Sequence, residues 1–519
     1  MAKQDGQPDG MSTPLGAGGN GEKTGNGAGA PAGIGSNTAP HLAYHDLRKW
    51  LDEAEKLGEV KHVKGLSWQK DIGMVSEMAA HTDNAPCFVF EDVPGTLPGS
   101  RVLLNFFDGK RKNMTLGFPT DMSKVELSEG FRAHYAADMK RIPPKYVESG
   151  PVMQNVITGD AIDITKFPAP QWRAKDGGRY LGTGCYTIIR DPDDGWINCG
   201  TYRVMIHDAN SCGLYISPGK QGRQMRDKYK ARKQTMPIAV VLGGDPMSFL
   251  MGCSEIPQGV SEYEVIGGMR GSPVEVIKGP VTGLPIPANA EIVIEGFIEP
   301  DKMRVEGPFG EWTGYYATGA AEEPVLDVKA VYHRHEPILL GCVPERPPDE
   351  ICRYRAIVRT ALLRENVTKA GVPAVTAAWA HEVGNARLLL VVAIKQRYPG
   401  HSKQAGHIAT TCHVGAYCGR YTIVVDDDID VSDLNAVMWA LLTRSDPATS
   451  IEIIRGAWST PLDPRIEPER RAVGDYTNSR AVIDACRPFH WMDKFPEATA
   501  PSPEDKALAI RKFGHLFQN

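Results

Sequence analysis

The stretch CYTIIRDPDDGWINCGTYRVMIH, residues 185–207, decides how the middle of the chain is read. Cys185–Arg190 is a run of strand formers, Asp191-Pro-Asp-Asp-Gly195 is turn chemistry, and Trp196–His207 returns to strand character. Working outward, further strands are expected at Gly213–Ile216, Ile238–Leu242, Val274–Val276 and Glu291–Ile298, interrupted by one helix at Arg223–Lys233. Many short strands separated by turns, over residues 151–324, predict a barrel or sandwich.

The flanks alternate helix and strand instead. Asp46 is placed to cap a helix through Lys56, with Leu47, Trp50, Leu51 and Ala54 on one face. A helix at Asp71–His81, strands at Cys87–Phe90 and Val102–Phe106, and a helix at Lys124–Met139 make residues 41–150 a small α/β domain. Residues 325–519 predict a second one. Its strands are expected at Val325–Tyr332, Ile338–Cys342, Leu388–Ile394 and Tyr421–Asp426. Its helices are expected from near Asp349, at Ser402–Thr411 and at Val431–Leu442, the last starting near Ser432 or Asp433. The amphipathic segment Pro503–Phe517 is expected to dock either on a partner subunit or on its own domain. Residues 1–40 are rich in Gly, Ala and Asn and have almost no large apolar side chains, so a disordered tail is expected. The GxGxxG at Gly16–Gly21 has no strand before it and no amphipathic helix after it, and is not read as a dinucleotide site.

With 519 residues the chain is too long for one simple core, and 42% hydrophobic against 23% charged residues is ordinary for a globular enzyme. A net charge of −5 gives no reason to expect nucleic acid or an anionic membrane as partner. The apolar run Leu388–Ile394 is far short of the roughly 20 residues that span a bilayer, and no charged-then-apolar leader opens the chain. The ten cysteines contain no CxxC pair, which suits reduced thiols in a cytoplasmic protein. Cys412-His413 with Cys418 fits no common zinc spacing and reads as packing.

Chemistry is concentrated in VEGPFGEWTGYY, residues 305–316, where Gly307-Pro-Phe-Gly310 holds Glu306 and Glu311 on a stiff turn. Two acids so held suit one that stays ionised and one that carries a proton; a charged hairpin tip is the other reading. Arg203 can fork onto a carboxylate, that of a substrate or of one of these acids, or be a surface residue on an edge strand. Strict alternation puts Asn198 and Arg203 on opposite faces, unless Gly200 supports a bulge. Glu262, in IPQGVSE, suits a hard cation together with Asn198, or simply the N-terminus of a helix.

INCGTYR (197–203), SPGKQGRQ (217–224), IPQGVSE (256–262), EGPFGEWTGYY (306–316) and YPGHSKQ (398–404) together resemble the UbiD family of reversible, non-oxidative decarboxylases that use prenylated FMN. The resemblance runs from about residue 42 to the end. It implies an α+β multidomain fold: an N-terminal α/β domain, a central split β-barrel similar to flavin reductases, and a C-terminal α/β domain that dimerises. It places the family's Glu–Arg–Glu network on Glu306, Arg203 and Glu311. It implies Mn²⁺ or Mg²⁺ held by Asn198 and Glu262 with the flavin phosphate, and K⁺ on backbone oxygens around Met251–Ser254. Gln221 stands where many relatives carry a metal-ligating His. Thr201, Tyr202, Lys220 and Lys403 complete the expected cofactor contacts. The implied reaction is decarboxylation of an aromatic or heteroaromatic acid, reversible under high CO₂, with Glu311 protonating the ring carbon. The SPGK-x-GR variant resembles relatives acting on heteroaromatic or polycyclic acids, so a phenazine-type acid is included. A flavin prenyltransferase is the implied supplier of cofactor. The alternatives are an FMN-dependent reductase and a non-catalytic flavin-binding subunit.

Overall fold

The computed structural model describes residues 40–135, 139–254, 256–499 and 501–517; the tail expected to be disordered lies outside them except for Pro40. The turn in the 185–207 stretch forms as its residues dictate. The Asp191 carbonyl accepts from the Gly195 N–H at 3.0 Å, Gly195 takes φ +78°, and Cys185–Arg190 pairs antiparallel with Ile197–Gly200. The second run, however, is two strands. It stops at Gly200 and restarts as Arg203–Asp208, with the Thr201 N–H turned onto the Gly252 carbonyl.

This break shapes the central sheet. Its path runs Tyr180–Gly182, Arg203–Asp208, Ser211–Tyr215, Ala321–His333, Ile292–Glu306, Met236–Leu242, Cys185–Arg190, Ile197–Gly200, and Asn155–Thr158 pairs with Ala321–His333 off the path. Ile197–Gly200 ends the path and Arg203–Asp208 is second from the other end, yet only Thr201 and Tyr202 join them. Three Cα steps reach at most ~11 Å. Six interstrand steps in a flat sheet would need ~29 Å. The sheet therefore curls into a half-barrel. Met236–Leu242 shows its two-sided burial, with Ile238, Val240 and Leu242 in one core cluster and Ala239 and Val241 in the other.

The strand expected at Val325–Tyr332 runs from Ala321 to His333 and belongs to this sheet, and Ile338–Leu340 completes a four-stranded N-terminal sheet beside Arg101–Leu104. Chain order suggested that both belonged to the following layer, but hydrogen-bonding partners place them earlier. The N-terminal layer opens on helix Leu47–Lys56, where Asp46 accepts from the Lys49 N–H at 2.8 Å and Leu47, Trp50, Leu51 and Ala54 are buried. The last layer is a five-stranded mixed sheet in the order Val375–Ala380, Leu389–Ile394, Tyr421–Asp426, Thr477–Ala485, Ile451–Trp458. Helix Glu350–Lys369, capped by Asp349, packs on its first strand. Helix Pro503–Phe513 leaves Ile510 and Phe513 exposed, so these two side chains are not buried on the helix's own domain. Among the described residues no helix is long and apolar enough to cross a membrane.

Candidate active site

Glu306 is the last residue of strand Ile292–Glu306, and the turn that follows leads to Ala321–His333. Topologically this is a hairpin end, but a buried one: Glu306 is 1% exposed, Phe309 3% and Glu311 7%. Burial of both acids excludes the solvated hairpin tip. The turn is held from outside by the Gly177 N–H on the Pro308 carbonyl at 2.8 Å. Gly177 has to be glycine, because a Cβ there would come within 1.9 Å of the Gly307 carbonyl oxygen.

Arg203 joins the two acids. Its Nε and Nη2 donate to Oε1 and Oε2 of Glu306 at 2.8 and 2.7 Å, and its Nη1 donates to Oε1 of Glu311 at 2.5 Å. The guanidinium lies 4.1 Å from the Tyr215 ring and 5.2 Å from the Phe309 ring, so it is held in place by aromatic faces and by the carboxylates. Tyr180, whose ring centroid is 4.2 Å from that of Phe309, donates its hydroxyl to Glu306 at 3.0 Å. Burial pulls the Arg203 guanidinium down, but the hydrogen bonds and charges of Glu306 and Glu311 more than reverse this, and it stays charged. Burial pushes the Glu311 carboxyl up; Arg203 opposes the shift, and the nearby Glu306 adds to it. The trio is thus built around an ion pair plus a second acid disposed to keep its proton.

A second cluster lies across Tyr202. Asn198 Nδ2 donates to Glu262 Oε1 at 2.9 Å and to Gln221 Oε1 at 3.0 Å, and the Cys199 N–H donates to Glu262 Oε2 at 2.7 Å. Gln221 is anchored by its own amide on the Ile256 carbonyl at 3.0 Å. Burial pushes the Glu262 carboxyl up to about 8. The Tyr202 hydroxyl accepts from the Gly222 N–H at 3.1 Å and donates to Asn198 Oδ1 at 3.3 Å. A Cβ on Gly200 would come within 2.3 Å of that hydroxyl, and one on Gly222 within 2.5 Å, so Tyr202 occupies the space both glycines leave. A strand break, rather than a bulge at Gly200, brings Asn198 and Arg203 into one region.

A cavity of about 180 Å³ includes Arg203, Glu311, Thr201, Tyr202 and Lys220 in its wall. Its wall also holds aromatic faces (Tyr215, Phe249, Phe309, Trp312, Tyr417) and the cations Arg355 and Arg387. Asn198, Gln221 and Glu262 adjoin it through Tyr202 and the Lys220–Gln221 step. Lys403 is not brought here. Helix His401–Thr411 packs on the last sheet, and Lys403 forms an ion pair at 2.6 Å with Glu452 of its outer strand, away from the other expected cofactor contacts. Around Met251–Ser254, at the end of helix Pro246–Gly252, the Gly252 carbonyl accepts from Thr201 and the Met251 carbonyl from the Ser254 N–H. Sequence reasoning missed Tyr180, Tyr215, Arg355 and Arg387. None sits in a dense motif, and their roles come from register and from the approach of another layer.

Family models match the chain over residues 145–347 (3-octaprenyl-4-hydroxybenzoate carboxy-lyase Rift-related domain) and 354–485 (the C-terminal domain of the same enzyme). The chain is 29% identical over 481 residues to pyrrole-2-carboxylic acid decarboxylase of Pseudomonas aeruginosa, covering 90% of this chain and 96% of that one. It is 31% identical over 458 residues to a phenolic acid decarboxylase of Bacillus subtilis, covering 86% and 93%. The fold is similar to that of the UbiD-class enzyme HmfF from Pelotomaculum thermopropionicum in complex with FMN, with TM-score 0.78 and 28% identity over 90% of this chain and 99% of that one. Two consecutive family domains, relatives matched over nearly their whole length and a shared fold lead to one conclusion: the chain belongs to the UbiD family and is a decarboxylase, a carboxy-lyase of that family.

Proposed function

We propose that the protein removes CO₂ reversibly from an aromatic or heteroaromatic acid, with prenylated FMN held in the Arg203–Glu311 cavity. Arg203 carries the reading: one guanidinium forks onto Glu306 and also donates to Glu311. Three of its five N–H donors are used, leaving two for a substrate carboxylate on the cavity side.

The residues present fit the cofactor. Aromatic faces suit a flat ring system, and Lys220 and Arg355 suit a phosphate. Oε1 of Gln221 and Oε1 of Glu262 converge on the Asn198 amide, and turning that amide over would present its Oδ1 beside them, the oxygen set a hard cation takes. Asn198, Gln221 and Glu262 would hold Mn²⁺ or Mg²⁺ through their side-chain oxygens, with the flavin phosphate adding the negative charge that a single carboxylate among them lacks. K⁺ would take carbonyls near Met251–Ser254. We read the curled sheet as the split barrel of flavin reductases. We read the exposed apolar side chains of the last layer and tail, Trp439, Leu442, Ile453, Trp458 and Phe513, as the contact of a homodimer. Cofactor would come from a flavin prenyltransferase.

Cleaving an aryl–carboxylate bond leaves an electron pair in an sp² orbital, and the bound flavin supplies the sink for it. The protein's part is positional and protonic. Arg203 orients the carboxylate, Glu306 and Tyr180 hold Arg203, and Phe309 and Trp312 keep water from the reacting carbon. Glu311, whose hold on a proton is strengthened by burial, delivers that proton to the ring carbon after CO₂ has left. The test is Glu311→Gln in the flavin-loaded enzyme, measuring CO₂ release from a panel that includes pyrrole-2-carboxylate, hydroxybenzoates and phenazine-1-carboxylate. Turnover is expected to fall at least 10³-fold with flavin binding retained. Normal CO₂ release by that variant would remove Glu311 from the mechanism.

A further inference from the structure

We propose that a second cavity, behind the VEGPFGEW turn, supplies protons to Glu311, and that Glu345 is the positioning residue that relays them from solvent. The proposal rests on the reading of Glu311 as the acid.

Protodecarboxylation consumes one proton per turnover. The ring–carboxylate C–C bond breaks, its electron pair forms the new C–H bond, and the proton comes from Glu311, which is left as a carboxylate. Glu311 must regain a proton before the next cycle. On the Arg203 side its cavity is the one filled by substrate and flavin, and it is walled by aromatic rings. On the other side lies a cavity of about 540 Å³ whose wall includes Lys70, Glu77, Arg173, Tyr316, Glu345 and Arg346. Glu311 and Pro344 are the residues common to both walls, so they form the partition between the cavities.

The groups directly behind that partition are protonic. Arg173 Nη2 donates to the Pro344 carbonyl and to Glu345. Arg173 Nη1 is buried with no hydrogen-bond partner and lies against Gly310, next to Glu311, so this guanidinium bridges Glu345 and the turn that carries Glu311. Glu345 has a side chain 3% exposed and accepts from the Ser76 hydroxyl at 3.1 Å. Burial pushes its carboxyl up to about 8; Arg173 pulls the other way, and a hydrogen bond with Glu77 adds to the rise. Glu345 is thus disposed to hold a proton, and it shares a hydrogen bond with Glu77, whose side chain is 51% exposed. Of the other ionisable groups around Glu345, Asp349 accepts from its N–H and Tyr316 lines the same cavity. Solvent, Glu77, Glu345, cavity water and Glu311 form a route independent of the substrate side.

The experiment compares wild type, Glu345→Gln and Glu345→Asp as flavin-loaded enzymes, with pyrrole-2-carboxylate as probe and rapid quenching. Glu345→Gln keeps the hydrogen bond to Arg173 but carries no transferable proton. It is expected to release one product per site at the wild-type rate and then continue at least tenfold more slowly, with Glu345→Asp in between. Equal slowing of the first and later turnovers, or no burst, overturns the relay. A readout without turnover uses the resting protein: the infrared band of the protonated Glu311 carboxyl, identified by difference from Glu311→Gln, followed after transfer into D₂O. Glu345→Gln is expected to slow its exchange at least tenfold, and an unchanged exchange rate also overturns the proposal. If no protonated Glu311 band exists in wild type, it is the acid assignment itself that fails.

Discussion

Position 203 requires a guanidinium. Three of its nitrogens are each committed to a carboxylate oxygen and its plane lies against Tyr215, a fork that an ammonium cannot reproduce. Arg203→Lys is expected to lower kcat/KM about 100-fold, or ~3 kcal/mol of transition-state stabilisation, with little change in the thermal midpoint. A variant within threefold of wild type would show that charge alone suffices. At this scale the sequence was informative where residues sit in dense motifs: INCGTYR and EGPFGEW resemble a family's motifs, and that resemblance, rather than the residue types alone, named Arg203, Glu306 and Glu311. Tyr180 could not, since its hydroxyl reaches Glu306 from a short strand whose motif-free sequence says nothing of its neighbours.

At the scale of the element, the turn after Glu306 keeps its shape through backbone contact with Gly177. Gly177→Ala is expected to destabilise the protein by about 1–3 kcal/mol, because the clash is with a carbonyl that cannot rotate away. Its neighbour is the control. A Cβ on Gly178 meets the Met205 side chain at 3.5 Å and the Ile206 carbonyl oxygen at 3.9 Å, ordinary contacts both, so Gly178→Ala is expected to cost a few tenths of a kcal/mol. Urea midpoints measure both, and equal midpoints would mean that the turn yields. Most elements were legible because their signals are local: Asp46 and Asp349 cap helices, and the turn after Arg190 forms where Pro192 and Gly195 stand. The break at Thr201-Tyr202 was not, because nothing in its residue types forbids a continuous strand. It exists because Thr201 finds the Gly252 carbonyl and Tyr202 fills the space beside Gly200 and Gly222.

For the molecule as a whole, buried carboxyls link stability to pH. Glu350 accepts from the Phe107 N–H at 2.7 Å, and burial, against that hydrogen bond, pushes it up to about 7. Between about 4.5 and 7 the folded chain keeps this proton while the unfolded chain releases it, so stability is full at the acid end and falls as pH rises. Glu345 extends the decline to about 8. The urea midpoint is expected to drop between pH 5.5 and 8.5. Glu350→Gln is expected to flatten its share, on the order of 2 kcal/mol across that range. A variant whose midpoint follows pH as steeply as wild type would show that this carboxyl does not drive the decline.

By itself the sequence determined the class of each layer and the caps and turns, because periodicity and capping depend on neighbours along the chain; the three charged groups of the candidate site were named through the resemblance of its motifs to a family. Only the tertiary structure decided that Ala321–His333 belongs to the central sheet and that Ile338–Leu340 completes the N-terminal one. It also decided that the ends of the curled sheet meet at Tyr202, that Lys403 faces Glu452, and that Glu311 stands between two cavities. The reason is physical: strand partners and cavity walls are set by hydrogen bonds and burial between residues far apart in the chain, and no local pattern encodes which distant residue will be met.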